Sequence, residues 1–359
     1  MRVTRIKLQN YRNIEFADLK LDGCTQFLAG PNAQGKTNLL ESVGLLTALR
    51  SFRTRDGKTL IRHDCREAKL AFCLADERFD LTEVWITLKR RGKEVVVDGK
   101  KVTRFRDFIG RFPVVVLSGR DIQLLRGSPG VRRQWLNLLL ASGNAEYYDD
   151  LRDFHRLLHQ RNALLKIDGK PAELDVFEKM LAEKAARLHA HRASEMAKLA
   201  AEMKRIYQIV SPVRENPELH YKPDLEASSP EDYLASFQAN RERDHLLKST
   251  QHGPHRDDIS FHLESKMARD YASEGQQRSM VISLKLAQLQ YLRRVSGVVP
   301  VLVADDILEE LDNRRKSNFW KAVGESVQVM AAATAIPSVE SPVSWQVFHV
   351  TDGKFEERE

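Results

Sequence analysis

The chain has 359 residues, enough for one large domain or two ordinary ones, and 42% are hydrophobic, enough to fill a core. A formal net charge of +7 is consistent with a polyanionic partner. Three cysteines (Cys24, Cys65, Cys73) without CxxC or CxH spacing argue against a zinc or disulfide framework, and an odd, unpatterned count points to a reducing compartment.

The N-terminal stretch MRVTRIKLQNYRN alternates apolar and polar residues and has no apolar h-region, so it does not read as a signal peptide. No apolar run approaches the roughly 18 residues of a membrane span. The expected localisation is cytoplasmic, with no membrane partner.

Next comes AGPNAQGKTNLLESVGLL, in which Gly30 to Thr37 fits G-x-x-x-x-G-K-[ST]. TQFLAG before it reads as a short buried strand, and NLLESVGLLTAL after it as a helix. Glycines let the backbone wrap a phosphate, with amides and the helix N-terminus aimed at negative charge. The expected ligand is ATP with Mg²⁺, held by Gly30, Pro31, Asn32, Ala33, Gln34, Gly35, Lys36, Thr37 and Asn38. Lys36 would reach the outer phosphates, and the Thr37 hydroxyl would hold the metal. A chance Gly-rich turn is the bland alternative, and the flanking strand and helix argue against it.

Further along, VWITLKRRGKEVVVDGKKV has a β-meander pattern with Lys89, Arg90, Arg91 and Lys93 at a tip. Ser128-Pro129 opens a helix carrying Arg132, Arg133 and Trp135. Residues Glu146 to Ile167 predict a second helix, and Asp168-Gly169-Lys170-Pro171 a tight turn. From Ala172 to Val210 there is no Gly or Pro, and Met196, Leu199, Met203, Ile206 and Val210 recur at helical spacing. That predicts a helical hairpin with one apolar face, more simply core than a partner groove. Another helix opens at Ser229-Pro230. Basic residues Arg152, Arg156, Arg161 and Lys166 lie along this arm, and a charge run alone reads as a solvated face.

The stretch ASEGQQRSM, Ala272 to Met280, precedes a helical pattern with Ile282, Leu286, Leu289 and Leu292 on one face. Ser273 is a good N-cap, and Gly275 leaves room for close approach of another group. A helix N-terminus here is a second anion site, while one ATP has a single triphosphate to offer. The economical expectation is that it caps the γ-phosphate held by a second copy of the chain.

In VVPVLVADDILEELD an apolar run ends in Asp305 and Asp306. This predicts a central parallel strand with acids at its C-terminal edge, where α/β sheets present ligands. Asp305 would bind Mg²⁺ directly or through water, and Asp306 would stand beside the attacking water. The alternative is an acidic helix N-terminus, though acids in that role usually begin a helix instead of ending an apolar run.

Ser273-Glu274-Gly275-Gln276 resembles the signature motif of ABC-type ATPases, and Glu310-Leu311-Asp312 resembles their D-loop. Within that class the chain resembles the RecF family from end to end. The series IKLQNYRNIE, GPNAQGKTNLLE, LRSFRTRDGKTLIRH, LSGRDIQLLRGSPGVRRQWLN, GPHRDDISF, SEGQQRS and DDILEELDNRR follows that family's order.

The resemblance implies an α/β fold: an ABC-type P-loop ATPase head with mixed and antiparallel sheets and flanking helices. Residues 1–118 and 249–359 would build the head, and 119–248 an inserted helical arm domain where SMC-type proteins carry a long coiled coil. It implies a weak, DNA-stimulated ATPase acting as a switch in recombinational repair. An ATP-dependent homodimer would clamp duplex DNA or a gapped duplex–single-strand junction and, with RecR and RecO, help load RecA. Asp306, Lys36 and Ser273 would be the catalytic residues, with Gly275 and Gln276 at the nucleotide. Two departures stand out: Thr334 occupies the place of the switch His in many ABC ATPases, and Asp306 stands where transporters usually have Glu.

With the resemblance in hand, Arg90, Arg91, Lys93, Arg132 and Arg133 become candidate phosphate-backbone contacts. No base-reading motif appears, so recognition should follow DNA shape and not sequence. Two other readings are a transporter's nucleotide-binding subunit and a P-loop kinase; the kinase leaves SEGQQ without a purpose.

Overall fold

The computed structural model of the chain describes residues 1–54, 56–76, 80–167, 170–335 and 344–358. Strand β1 (Arg2–Tyr11) buries Val3, Ile6, Leu8 and Tyr11 and turns back at Arg12 into β2 (Ile14–Lys20). Strand β3 (Thr25–Ala29) runs into the loop that opens helix α1 (Lys36–Ala48). Strands β4 (Glu67–Asp76), β5 (Asp80–Lys89), β6 (Lys93–Val97) and β7 (Lys100–Lys101) then form an antiparallel meander, followed by β8 (Val114–Ser118).

The next segment is mostly helical: α2 (Gln123–Arg126), α3 (Pro129–Gly143), α4 (Ala145–Lys166) and α5 (Pro171–Val210). Local chemistry sets the boundaries. Ser128 stands at the N-cap of α3 with Pro129 at its first position, where the missing N–H costs nothing. The Asn144 side chain accepts from the Glu146 and Tyr147 amides and starts α4. The stripe Met196, Leu199, Met203, Ile206 and Val210 is buried, as core. Of the expected turn, Asp168 and Gly169 lie outside the described residues.

Strand β9 (Pro217–Lys222) follows, then α6 (Pro230–Ala239), opened by a reciprocal Ser229–Asp232 capping box, and α7 (Arg241–Leu247). The last part holds β10 (Asp258–Leu263), β11 (Lys266–Met267), α8 (Ala268–Tyr271), α9 (Glu274–Ser296), β12 (Val301–Asp305), α10 (Asn313–Val323), β13 (Val329–Ala333), β14 (Gln346–Thr351) and β15 (Lys354–Glu357).

Among the described residues the strands form three sheets. One is antiparallel in the order β2-β1-β4-β5-β6-β7, and a second runs β15-β14-β3-β13-β12-β8. In the second, β14, β3, β13, β12 and β8 are parallel, and β12 is hydrogen-bonded on both sides. Its five residues are all buried, as the apolar run requires of a doubly covered parallel strand. The third sheet is β11-β10-β9, antiparallel.

The chain divides into two compact units. The first comprises Met1–Asp121, Gln208–Arg214 and Ile282–Glu359, and holds both six-stranded sheets. Its apolar core joins Leu8, Leu39, Leu46, Phe72, Val303 and Met330. The second comprises Ile122–Tyr207 and Glu215–Val281. Residues 249–281, expected with the head, therefore group with the arm. The reason is physical: β10 pairs with β9, and buried arginines of α3 and α5 bind Asp258 and Asp257.

Candidate functional site

The phosphate-loop geometry follows from its glycines. Gly30 has a φ of 154°, and a Cβ there would lie 2.4 Å from the Val350 carbonyl oxygen, so no side chain fits. Gly35, at φ 117°, stands at the N-cap of α1, and its Cα faces Asn13. The loop is braced from the β14–β15 turn: the Asp352 amide donates to Gln34 Oε1 at 2.7 Å and the Gly353 amide to the Gln34 carbonyl at 2.8 Å. Asn13 links the loop to α1, donating to the Gln34 carbonyl and accepting from Asn38 at 2.7 Å. This brace was not foreseen; TDGK alone reads as a plain hairpin turn.

Lys36 is only 4% exposed, and its ammonium donates to the Gly30 and Pro31 carbonyls at 2.6 and 2.9 Å. The Thr37 hydroxyl donates to Asp305 Oδ1 at 2.8 Å. The loop and the acidic strand thus meet at one point, as their motifs predict. Burial pushes the Asp305 carboxyl up to about 6, opposed by the Thr37 hydrogen bond and reinforced by Asp306. Asp306 takes a left-handed φ of 58°, a conformation that Asp tolerates better than most residues. Its Oδ1 is buried with no hydrogen-bond partner, and burial raises its pKa as well. These groups fit a triphosphate with a divalent cation: a loop with glycines at both ends, a buried ammonium, and a hydroxyl beside a carboxylate as hard oxygen ligands.

Two acids around this centre escaped the sequence reading. Glu41 on α1 is fully buried, receives a two-pronged contact from Arg12 at 2.8 Å and one from Ser51, and has Arg53 at 3.7 Å. Arg53 also donates to Asn38. The segment after α1 therefore returns to brace the first turns of that helix. Glu309 accepts from the Thr334 amide, the Thr334 hydroxyl and the Ala335 amide at 2.7 to 3.1 Å. Burial would raise its pKa, but these donors outweigh it and hold the carboxyl below its usual range. Thr334 is thus tied to Glu309, and the rest of its expected motif, 336–338, lies outside the described residues. Asp312 of the expected D-loop caps α10 by accepting from the Arg315 amide.

In the second unit, Ser273 and Gln276 form a reciprocal cap on α9. The Ser273 amide donates to Gln276 Oε1 at 2.6 Å, and the Gln276 amide to Ser273 Oγ at 3.3 Å. Ser273 is exposed, and a hydroxyl that accepts one bond keeps its O–H to donate. Gln276, expected at a nucleotide, has its amide nitrogen on Glu215 at 2.5 Å, so both ends of its side chain serve the fold. Gln277 beneath it is buried between the Ala268 and Ala272 carbonyls and Arg126.

The candidate DNA contacts separate sharply. Arg90 and Arg91 are exposed at the β5–β6 tip. Lys93 donates to the Leu49 carbonyl, and burial lowers its pKa. Arg132 is 8% exposed, with a two-pronged bond to Asp258 and a third to the Gly127 carbonyl. Arg133 donates to the Asp257 carbonyl, and burial lowers its pKa too. Arg132 is corrected accordingly, since its donors hold the fold together; Lys93, exposed, and Arg133, half-buried, each give a donor to a backbone carbonyl and remain candidates. Arg161 is corrected likewise, being fully buried on Glu178 and Asp244. Within GPHRDDISF, Asp257 collects Arg192, Tyr221 and the Asp224 amide, which explains two adjacent acids before a strand.

A sequence profile described as RecF/RecN/SMC N terminal domain matches residues 2–340. The chain is 33% identical over 366 residues to a DNA replication and repair protein RecF of Streptococcus suis (strain 05ZYH33), covering 100% of both chains. It is 34% identical over 362 residues to the protein of that name from Geobacter metallireducens (strain ATCC 53774 / DSM 7210 / GS-15), covering 98% of this chain and 99% of the relative. A solved structure of the recombination mediator protein RecF-ATP in the RecFOR pathway superposes with a TM-score of 0.91 at 29% identity, covering 99% of this chain and 97% of that one.

Proposed function

The chain belongs to the RecF family, and on that premise we propose that it is an ATP-switched protein of DNA repair, in which two copies pair on DNA when ATP is bound and part after slow hydrolysis. The observation that carries this reading is the 2.8 Å bond between Thr37 and Asp305, which unites phosphate loop and acidic strand in one site. The transporter and kinase readings are set aside, because relatives matching the full length are replication and repair proteins.

The chain's own residues divide the work. Lys36 moves from the loop carbonyls onto the outer phosphates, an exchange of neutral acceptors for charged ones that strengthens its bonds. Thr37 and Asp305 would hold Mg²⁺, which would supply positive charge where the phosphoryl oxygens gain negative charge. Asp306 orients the attacking water and takes up its proton; burial makes its carboxylate a stronger base than a solvated one. It is one methylene shorter than Glu, so its reach to that water is poorer and turnover is slow. A long-lived ATP state suits a switch.

Ser273 and Gly275, at the exposed start of α9, would meet the γ-phosphate held by the other copy. Arg90 and Arg91 would contact the DNA backbone at a duplex or duplex–single-strand junction. Mediators of the RecR and RecO kind are the expected partners, the RecF-ATP relative being described in the RecFOR pathway. Kinship with DNA replication and repair proteins supports a place in the cytoplasm; among the described residues no helix is long and apolar enough to cross a membrane.

Light scattering with and without ATP tests the pairing. Wild type should double its mass only with ATP, and Ser273→Arg should bind ATP yet stay monomeric. A Ser273→Arg monomer that cannot bind ATP would mean that the signature helix acts within its own chain, and the reading would fail.

A further inference from the structure

The strand pair β9–β10 carries a second cluster of chemistry that the nucleotide reading does not use. Glu218 and His220 are two residues apart on β9 and so share one face, and His262 of β10 is the direct cross-strand partner of Glu218. One ligand atom from each lies within 4.8 Å of the other two. His220 Nε2 and Glu218 Oε2 already stand 3.0 Å apart. The Nε2 of His262 is buried and has no hydrogen-bond partner, a cost that a buried polar atom normally avoids.

The surroundings orient these groups as a metal centre needs. Asn216 donates to Glu218 Oε1 at 2.8 Å, leaving Oε2 for the cluster. A backbone hydrogen bond at Ser265 engages the His262 ring. The half-exposed edge leaves room for water at the remaining positions: the Glu218 and His220 side chains are 28% and 49% exposed.

We propose that Glu218, His220 and His262 form a binding site for a divalent transition-metal ion of the zinc, cobalt or nickel kind. Two imidazoles and one carboxylate favour such ions over Mg²⁺. Ligands about 2.1 Å from a tetrahedral ion lie about 3.4 Å apart, a spacing that side-chain rotation can reach from a cluster whose ligand atoms all lie within 4.8 Å of one another. The ion would pin β9 to β10. It would also stiffen the strand that follows Glu215, the residue that holds Gln276 of the α9 cap.

Cobalt titration of the full-length chain, stripped with chelator and kept in excess Mg²⁺, tests this by visible absorption and calorimetry. Wild type should take up about one equivalent with tetrahedral or five-coordinate bands and micromolar or tighter affinity, and Zn²⁺ should displace it. His262→Ala and His220→Ala should each bind at least about tenfold more weakly. His220 is half exposed, so its variant keeps the fold, and unchanged ATP binding by both variants confirms that. Equal cobalt uptake by wild type and both variants, or saturation only at millimolar metal, overturns the proposal.

Discussion

Replacing Arg161 decides whether the basic arm is a DNA surface or a folded scaffold. The guanidinium is 0% exposed and donates to Glu178 at 2.8 and 3.1 Å, to Asp244 and Thr250 at 2.7 Å each, and to the Phe237 carbonyl at 3.3 Å. Arg161→Met keeps most of the volume and removes the charge. Glu178 retains Arg241, but Asp244, 1% exposed, loses its cation and keeps the Gln251 amide. Removing one partner of a buried ion pair costs about 3–5 kcal/mol, and the surviving contacts place this case near about 3 kcal/mol. With a urea slope of about 2 kcal/mol per molar, the transition of the second unit should fall by about 1.5 M. Arg152→Ala and Arg156→Ala, with side chains 56% and 61% exposed, should move it by less than about 0.3 M. Circular dichroism in urea measures the midpoints, and DNA titration across salt is the counter-test. If Arg161 were a phosphate contact, the variant would keep its midpoint and lose about 0.9 from the salt slope. That result would refute the buried-scaffold reasoning.

Lys36→Met removes the charge that meets the outer phosphates, so ATP affinity should fall at least about tenfold, about 1.4 kcal/mol, in a calorimetric titration. Arg90→Glu with Arg91→Glu should weaken DNA binding similarly on unrelated sequences and flatten the dependence of log affinity on log salt; binding assays from low to high salt check both. Burial pushes the His255 imidazole down to about 4, so the native state stays neutral where the unfolded chain, near about 6.5, takes up a proton. That contribution is present above about pH 6.5 and is lost as pH falls toward 4, at most about 3 kcal/mol. Urea midpoints at pH 7.5, 6 and 5 should therefore drop less steeply in His255→Gln than in wild type.

The phosphate loop and the Asp305–Asp306 pair were legible because their chemistry is written in consecutive residues. Gly30 needs a position without Cβ, and an apolar run that ends in two acids can lie only at the edge of a covered strand. Glu41 and Glu309 were not legible: a single acid in a helix or loop looks solvated until its distant donors, Arg12 or Thr334, are folded against it. The arginine contacts were not legible for a related reason. Arg132 and Arg133 are neighbours in sequence, and nothing local tells that one faces Asp258 and the other the Asp257 carbonyl. Arg161 and Arg192 look like surface charge on long helices, yet each is buried against acids that come from other elements. Charge runs report composition, whereas burial depends on what packs across from them. The arm boundary shifted because strand pairing of β9 with β10 overrides the order of motifs along the chain.

The central claim is that hydrolysis at Asp306 releases the paired protein from DNA, and a chase of labelled DNA from preformed ATP complexes measures it most directly. Asp306→Asn keeps the side-chain shape and removes the base, so the variant should bind ATP, pair and hardly hydrolyse. Its complexes should outlive wild-type complexes after unlabelled DNA is added. If both dissociate at the same rate while only wild type hydrolyses ATP, hydrolysis does not control release and the switch account is contradicted.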